Sequence, residues 1–305
     1  MAGRSVLITG CSSGIGLCAA QTLRARGWRV FATARKPEDI SHLKDEIGVE
    51  SLYLDYAEPQ SIAAAVEHVL SATTGTLTAL FNNGGYGQPG ALEDIRPDVL
   101  RAQFEVNVFG WHDLTRRVIP SMRARGQGRI VYCSSILGLI AAPYRGSYAA
   151  SKFAVEALAD TLRMELAGTG ISVSLIEPGP IASRFVDRAI EAYRRNVDLK
   201  ASVHRDIYKV RIAAWKLAGR RPSSLGLRPW SPNSSTLWKA LGRNLATTSP
   251  FPPTPWPYSA GSFPLAVSTP WPGGTKVWVK VERPGSTNVI VPCAAGRLTE
   301  LPCTP

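Results

Sequence analysis

The sequence predicts an α/β protein organised around a doubly wound parallel sheet. Three observations carry that expectation. Six short apolar runs alternate with helical patterns between residue 5 and about residue 180. The first run opens into a glycine-rich turn followed by a helix pattern, and residues of catalytic type recur just after later runs. Near-continuous apolar runs suit strands buried on both faces, as in a parallel sheet covered by helices. Right-handed crossovers then gather ligands at the carboxyl ends of the strands.

Taken in order, the strands are "SVLITG", "WRVFATA", "SLYLDY", "LTALFNN", "GRIVYCSS" and "ISVSLIEPG", with helices expected at 14–26, 59–73, 97–124 and 147–167. The first strand enters "TGCSSGIG", which carries Gly10, Gly14 and Gly16. A Cβ there would block both the turn and the approach of a pyrophosphate to the backbone. The helix beginning near Gly14 offers unpaired N–H groups and a positive dipole end to those phosphates. After the second strand, "FATARKPED" lacks the carboxylate that would receive a ribose 2′-hydroxyl. Arg35 and Lys36 stand where a 2′-phosphate would lie, which favours NADP over NAD; the plainer alternative is a solvated arginine at a strand end. Asp55, closing the third strand, either accepts from an adenine amine or shapes a turn.

The segment "GSYAASKFAVEALADTLRMEL" places Tyr148 and Lys152 four apart on one helix face. A free tyrosine has a pKa near 10, so acid–base work at pH 7 needs a shift of about three units, or ~4 kcal/mol. An ammonium about 4 Å away supplies about that much at an effective dielectric near 20. Ser134 and Ser135 end the fifth strand, "NNGG" ends the fourth, and Asn107 lies in the helix pattern that follows it. All converge on the sheet edge that carries the glycine turn.

Together these residues resemble the classical short-chain dehydrogenase/reductase family. The resemblance rests on the turn at 9–16, "NNGG" at 82–85, Asn107, Ser135, the YxxxK at 148–152 and the "PG" at 178–179, and covers about residues 4–185. "NNGGYGQPGALED" and Arg35 are similar to the branch holding NADP-dependent aldehyde reductases and retinol or 17β-hydroxysteroid dehydrogenases. The resemblance implies a Rossmann-type sheet whose seventh, edge strand is not recognisable in this chain. It implies an NADP(H)-dependent oxidoreductase interconverting an aldehyde or ketone and an alcohol. Tyr148 would give or take the hydroxyl proton, and Lys152 would lower its pKa and bind the nicotinamide ribose. Ser135 would orient the carbonyl oxygen, and Asn107 would hold a water in the proton relay. Gly10, Ser12, Ser13, Gly14, Ile15 and Gly16 would bind the cofactor, with Asn83, Gly84, Pro178, Gly179 and Ile181. This chain departs from the pattern at Gly84, where the family has Ala, and at Ser183, where it often has Thr.

Three regions are expected: a dinucleotide-binding body at 1–180, a segment at 181–214, and a tail at 215–305. The middle segment is either a helical lid or a solvated helix pair; its Phe185, Ile190 and Tyr193 suggest a small hydrophobic substrate. The tail holds 15 of the 23 Pro and six of the eight Trp, a break in texture that ends the body's periodicity. It reads as a basic linker, a Pro-rich partner segment or, the favoured reading, an out-of-frame translation, since a neighbouring frame can encode an amphipathic helix and an alternating strand. On that reading the chain is alternatively a cofactor binder with impaired turnover, and the family's usual homo-oligomer is in doubt.

Composition excludes other classes. The net charge of +12 divides into +8 from residue 215 onward, ten basic against two acidic residues, and +4 for the rest, so nucleic acid is not an expected partner. No long uncharged apolar run predicts a membrane span, and "MAGRSVLITG" passes directly into a strand without a signal-peptide pattern. Four scattered His predict no metal site, and five Cys without framework spacing read as reduced thiols of a cytoplasmic protein.

Overall fold

The computed structural model describes residues 3–179 and 183–220. Six strands, β1 (Ser5–Ile8), β2 (Arg29–Ala34), β3 (Glu50–Tyr53), β4 (Ala79–Asn82), β5 (Gly128–Cys133) and β6 (Ile171–Ile176), form one sheet. Their order is β3-β2-β1-β4-β5-β6, and every pairing is parallel. The sheet is therefore the Rossmann-type, doubly wound one. Val6 pairs with Val30 on one side and Ala79 on the other, so the chain direction of winding reverses beside β1 and opens a crevice there. Val6, Leu7 and Ile8 are wholly buried, which is why β1 reads as an unbroken apolar run.

Helices α1 (Gly14–Ala25), α2 (Pro37–Asp45) and α3 (Pro59–Ala72) serve the first half. The second half carries α4 (Pro97–Phe104), α5 (Gly110–Ala124), α6 (Gly146–Glu165), α7 (Phe185–Asn196) and α8 (Arg205–Arg220). Proline at the start of α2, α3 and α4 sits where a missing N–H costs no helical bond. The helix expected over 97–124 is not continuous: a π-helical turn at Glu105–Phe109 separates α4 from α5. The cause is tertiary. Asn107 is drawn to the Tyr86 backbone, and Gly110 packs so closely on Tyr56 that a Cβ would lie 2.5 Å from the tyrosine Cβ.

A second, smaller apolar cluster joins Ala91, Ile95 and Val99 to Tyr193, Val197 and Tyr208, seating α7 and α8 against the segment after β4. The middle segment is thus a helix pair with a packed inner face. Residue 214, the expected end of that segment, falls inside α8, which continues to Arg220. The readings given for the tail beyond Arg220, the seventh strand among them, lie outside the described residues, as does Ile181.

Candidate active site

The carboxyl ends of β1 and β4 meet closely. Gly10 has φ +67°, and a Cβ there would come within 2.4 Å of Gly84 Cα. A Cβ on Gly84 would lie 3.2 Å from Gly10 N and from Tyr56 Cε2, so glycine at 84 matches a tight crossing in this chain. Gly16 serves packing as well, since a Cβ there would meet Gly10 O at 2.5 Å. Thr9 organises the junction: its Oγ1 accepts from Asn83 N (2.9 Å) and Gly84 N (3.1 Å), while Asn83 Nδ2 donates to Thr9 O (2.9 Å). Ser13 caps α1 without using its side chain on the helix, and the first turn of α1 holds no acid. That end is electrostatically suited to an anion.

These elements floor a cavity of about 520 Å³ that runs from Arg35 and Lys36 at one end to Ser135 and Tyr148 at the other. Gly10, Ser12, Ser13, Gly14, Ile15, Arg35, Asp55, Asn83, Gly84, Ser135, Tyr148, Lys152, Pro178 and Gly179 all line it. Gly16 and Asn107 lie behind that surface. A glycine cradle that a Cβ would fill, opening on a helix N-terminus, fits a dinucleotide pyrophosphate.

Arg35 is largely exposed and lies 3.5 Å from Asp55 Oδ2, while Asp55 Oδ1 accepts from Ala57 N at 3.0 Å. Asp55 therefore shapes the turn and holds Arg35 at the cavity rim together. Arg184 bonds the Ser12 carbonyl and approaches Asp39 at 3.4 Å, tying the segment after β6 to the glycine turn. Ser183 sits over the start of α1, its Cβ 3.2 Å from where a Gly14 Cβ would stand.

At the other end, Ser135 caps a short 3₁₀ turn, accepting from Leu137 N at 3.1 Å. Tyr148 is buried, with the Phe185 ring 5.4 Å from its own. Burial pushes the Tyr148 phenol well above its usual value and Cys133 adds to this; a hydrogen bond with Ser135 and the charge of Arg145 oppose it. Lys152 Nζ donates to Cys133 O at 2.8 Å and stands 4.2 Å from the Trp111 ring centre. Its distance to the Tyr148 ring centre is 5.6 Å. Burial lowers the Lys152 ammonium to about 8, with Cys133 and Glu156 pulling the other way. Asn107 is wholly buried; its amide donates to Tyr86 O (2.9 Å) and Ser151 Oγ (3.2 Å) and accepts from Tyr86 N (3.2 Å). Its side chain thus joins the loop after β4 to α6.

Sequence reasoning missed Trp111, Tyr86 and Arg145. Trp111 Nε1 donates to Gly84 O at 2.7 Å, linking the lysine's aromatic seat to the glycine crossing. The available signal was spacing: Trp111 follows Asn107 by four residues, and Arg145 precedes Tyr148 by three. Among the described residues no group of His, Cys, Asp and Glu is arranged to hold a metal, and no helix is long and apolar enough to cross a membrane.

With this geometry in hand, comparison with known proteins is specific. The sequence profile of the short chain dehydrogenase family matches residues 4–194. The uncharacterized oxidoreductase YbbO of Escherichia coli is 49% identical over 184 residues, 60% of this chain and 68% of that protein. The NADPH-dependent 3-dehydrocapnine reductase of Ornithobacterium rhinotracheale is 36% identical over 194 residues, 61% of this chain and 68% of that one. Among solved structures, a short chain dehydrogenase/reductase from Burkholderia phymatum in complex with NAD superposes with a TM-score of 0.63 at 26% identity, covering 72% of this chain and 79% of that one.

Proposed function

Because the chain belongs to the short-chain dehydrogenase family, we propose that it is an NADP(H)-dependent oxidoreductase interconverting an aldehyde or ketone with an alcohol. The observation that carries this reading is one cavity with Arg35 and Lys36 at one end, a glycine cradle between, and Ser135, Tyr148 and Lys152 at the other. The residues fit a dinucleotide whose nicotinamide, when bound, supplies or accepts the hydride. Arg35 and Lys36 would hold a 2′-phosphate, and the α1 N-terminus the pyrophosphate.

This chain's own groups handle the oxygen and its proton. Ser135 donates toward the carbonyl oxygen and holds it against Tyr148. In reduction the Tyr148 hydroxyl proton would pass to the carbonyl oxygen. Burial raises the Tyr148 pKa, the opposite of the lowering that acid–base work at pH 7 calls for, so the phenol keeps its proton at neutral pH and its transfer would depend on cationic groups beside the phenolate. Once the proton leaves, the phenolate is the buried anion that Lys152 and Arg145 stabilise. Lys152, tied to Cys133 O and the Trp111 face, also presents its ammonium to a nicotinamide ribose. The segment at 181–214 forms the substrate-side wall through Phe185 and Val186.

The test is NADPH oxidation at 340 nm with a panel of hydrophobic aldehydes and ketones, comparing the wild-type chain with Tyr148→Phe. Loss of the acid should lower kcat by about 10²–10⁴-fold while NADPH binding persists. Unchanged turnover in Tyr148→Phe, or no NADPH binding by the wild type, contradicts the reading.

A further inference from the structure

Behind the substrate end of the cavity runs a chain of buried amides to which the motif residues give no role. Gln88 and Gln103 are both wholly buried, and a side-chain amide taken out of water has to find partners. Gln88 finds them in three directions. Its backbone N–H donates to Gln103 Oε1 in α4 at 2.6 Å, its Nε2 donates to Pro89 O at 2.8 Å, and its Oε1 accepts from Asn196 Nδ2 at 2.7 Å. Gln103 Nε2 donates in turn to Tyr86 O at 2.9 Å, the same carbonyl that Asn107 holds. Asn107 carries the chain on to Ser151 Oγ, which donates to Tyr148 O at 2.7 Å.

Asn196 is the last residue of α7 and Phe185 the first. Phe185 lines the cavity, its ring 5.4 Å from that of Tyr148. It also leans on the loop just before Gln88: a Cβ on Gly87 would lie 3.1 Å from Phe185 Cζ and 3.5 Å from Tyr148 Cδ2. The two rings and the Gly87 backbone are therefore packed together, on a loop that Gln88 ties to α7. The lever is long. At 1.5 Å per residue α7 spans about 16 Å, so a tilt of about 4° at Asn196 displaces Phe185 by about 1 Å. Tyr193 and Val197 seat the same end of α7 through apolar contacts. Such contacts are non-directional, whereas the bond to Gln88 fixes a distance and an angle.

We propose that Gln88 is a specificity-determining positioning residue: through Asn196 it holds α7 so that Phe185 stays closed on Tyr148, and the substrate is a carbonyl compound unbranched at the carbon next to the carbonyl. The inference rests on the reading of Tyr148 as the acid that meets the carbonyl oxygen. An oxygen within reach of the Tyr148 hydroxyl brings that neighbouring carbon beside the Phe185 ring. A methylene passes there. A methyl branch has to push Phe185 aside, which the Gly87 backbone and the pinned helix resist.

The experiment compares two isomers, hexanal and 2-methylpentanal, as substrates of the full chain with NADPH, with kcat and KM measured separately. The wild type should favour hexanal in kcat/KM by at least about ten-fold, the low end of what one such group is worth in a shaped apolar pocket. In Gln88→Met the ratio falls toward parity, chiefly through a lower KM for 2-methylpentanal, while the Kd of NADPH is unchanged. Asn196→Ala, at a half-buried position, lowers the ratio alike and serves where Gln88→Met lacks a cooperative thermal transition. The double variant goes no further than either single one, because the two side chains act through one bond. A ratio that survives both substitutions overturns the inference, and so does a common loss on both aldehydes, the mark of a merely structural role. Additive effects of the two substitutions overturn it as well. A wild type that turns over both isomers equally overturns the inference and leaves the reading of Tyr148 standing; one that reduces neither aldehyde overturns that reading and the specificity role with it.

Discussion

Substituting Gly10 tests the crossing on which the cofactor cradle is built. An alanine Cβ would stand 2.4 Å from Gly84 Cα and 3.0 Å from Gly84 N, backbone atoms that no side-chain rotation can move aside. The clash is about 1 Å deep, and relieving it means parting the ends of β1 and β4. Overpacking of this kind costs ~1–3 kcal/mol. The left-handed φ of +67° adds a separate penalty, on the order of 1–2 kcal/mol. Gly10→Ala should therefore lose ~2–5 kcal/mol, and at ~2–4 °C per kcal/mol its Tm should fall by ~4–20 °C. Gly27→Ala isolates the conformational part, since Gly27 has φ +77° but no atom within 4 Å of its added Cβ. Chemical denaturation of both variants gives the difference, expected at ~1–3 kcal/mol in excess for Gly10→Ala. A Gly10→Ala variant no less stable than Gly27→Ala would refute the close crossing.

Further predictions concern the buried lysine and the helical wall. Lys152 titrates near 8 in the folded chain, against 10.5 for the unperturbed group, so between those values the unfolded state binds more protons and stability rises with pH. Burying the ammonium thus destabilises the fold fully below pH 8, on the order of 3 kcal/mol, and the penalty is relieved as pH approaches 10.5. Lys152→Met should flatten the pH dependence in that window; subtracting its stability curve from the wild-type curve cancels the thiols and phenols that titrate nearby, and a zero difference slope would contradict the buried placement. Asp94 Oδ2 accepts from Ser202 Oγ at 2.7 Å and Tyr208 Oη at 2.5 Å, fastening α8 beside the cavity. Asp94→Asn should lower hydrogen-exchange protection of α7 and α8 by ~1–3 kcal/mol while the sheet stays protected; unchanged exchange in α8 would show that the apolar contacts alone seat it.

Much of the body is legible because its signals are local. Buried parallel strands must be apolar along their whole length, so β1 and β5 announce themselves, and the glycines after β1 mark backbone that cannot tolerate a Cβ. Cavity-lining residues follow from the same logic, since strand ends share one edge. What escaped reading depends on partners far away in the chain. The π-helical turn around Asn107 adds one residue to a helix whose periodicity hides it, and its cause lies with Tyr56 and Tyr86. Trp111 reads as an ordinary core aromatic until its indole is found bonded to Gly84 and beneath Lys152. Arg145 reads as a loop cation until α6 and α8 bring it beside Tyr148 and Arg211. The approach of Asp55 to Arg35 is likewise visible only in space: one carboxylate oxygen accepts from Ala57 N and the other faces Arg35.

The most direct test of the central claim is thermal unfolding of the full chain with NADPH, with NADH and with neither. A ligand at a hundred times its Kd stabilises the folded state by about 2.7 kcal/mol. The account predicts one cooperative transition raised by NADPH at concentrations where NADH has little effect, with the distinction lost in Arg35→Ala. A transition indifferent to both nucleotides would contradict a dinucleotide site between the glycine turn and Tyr148.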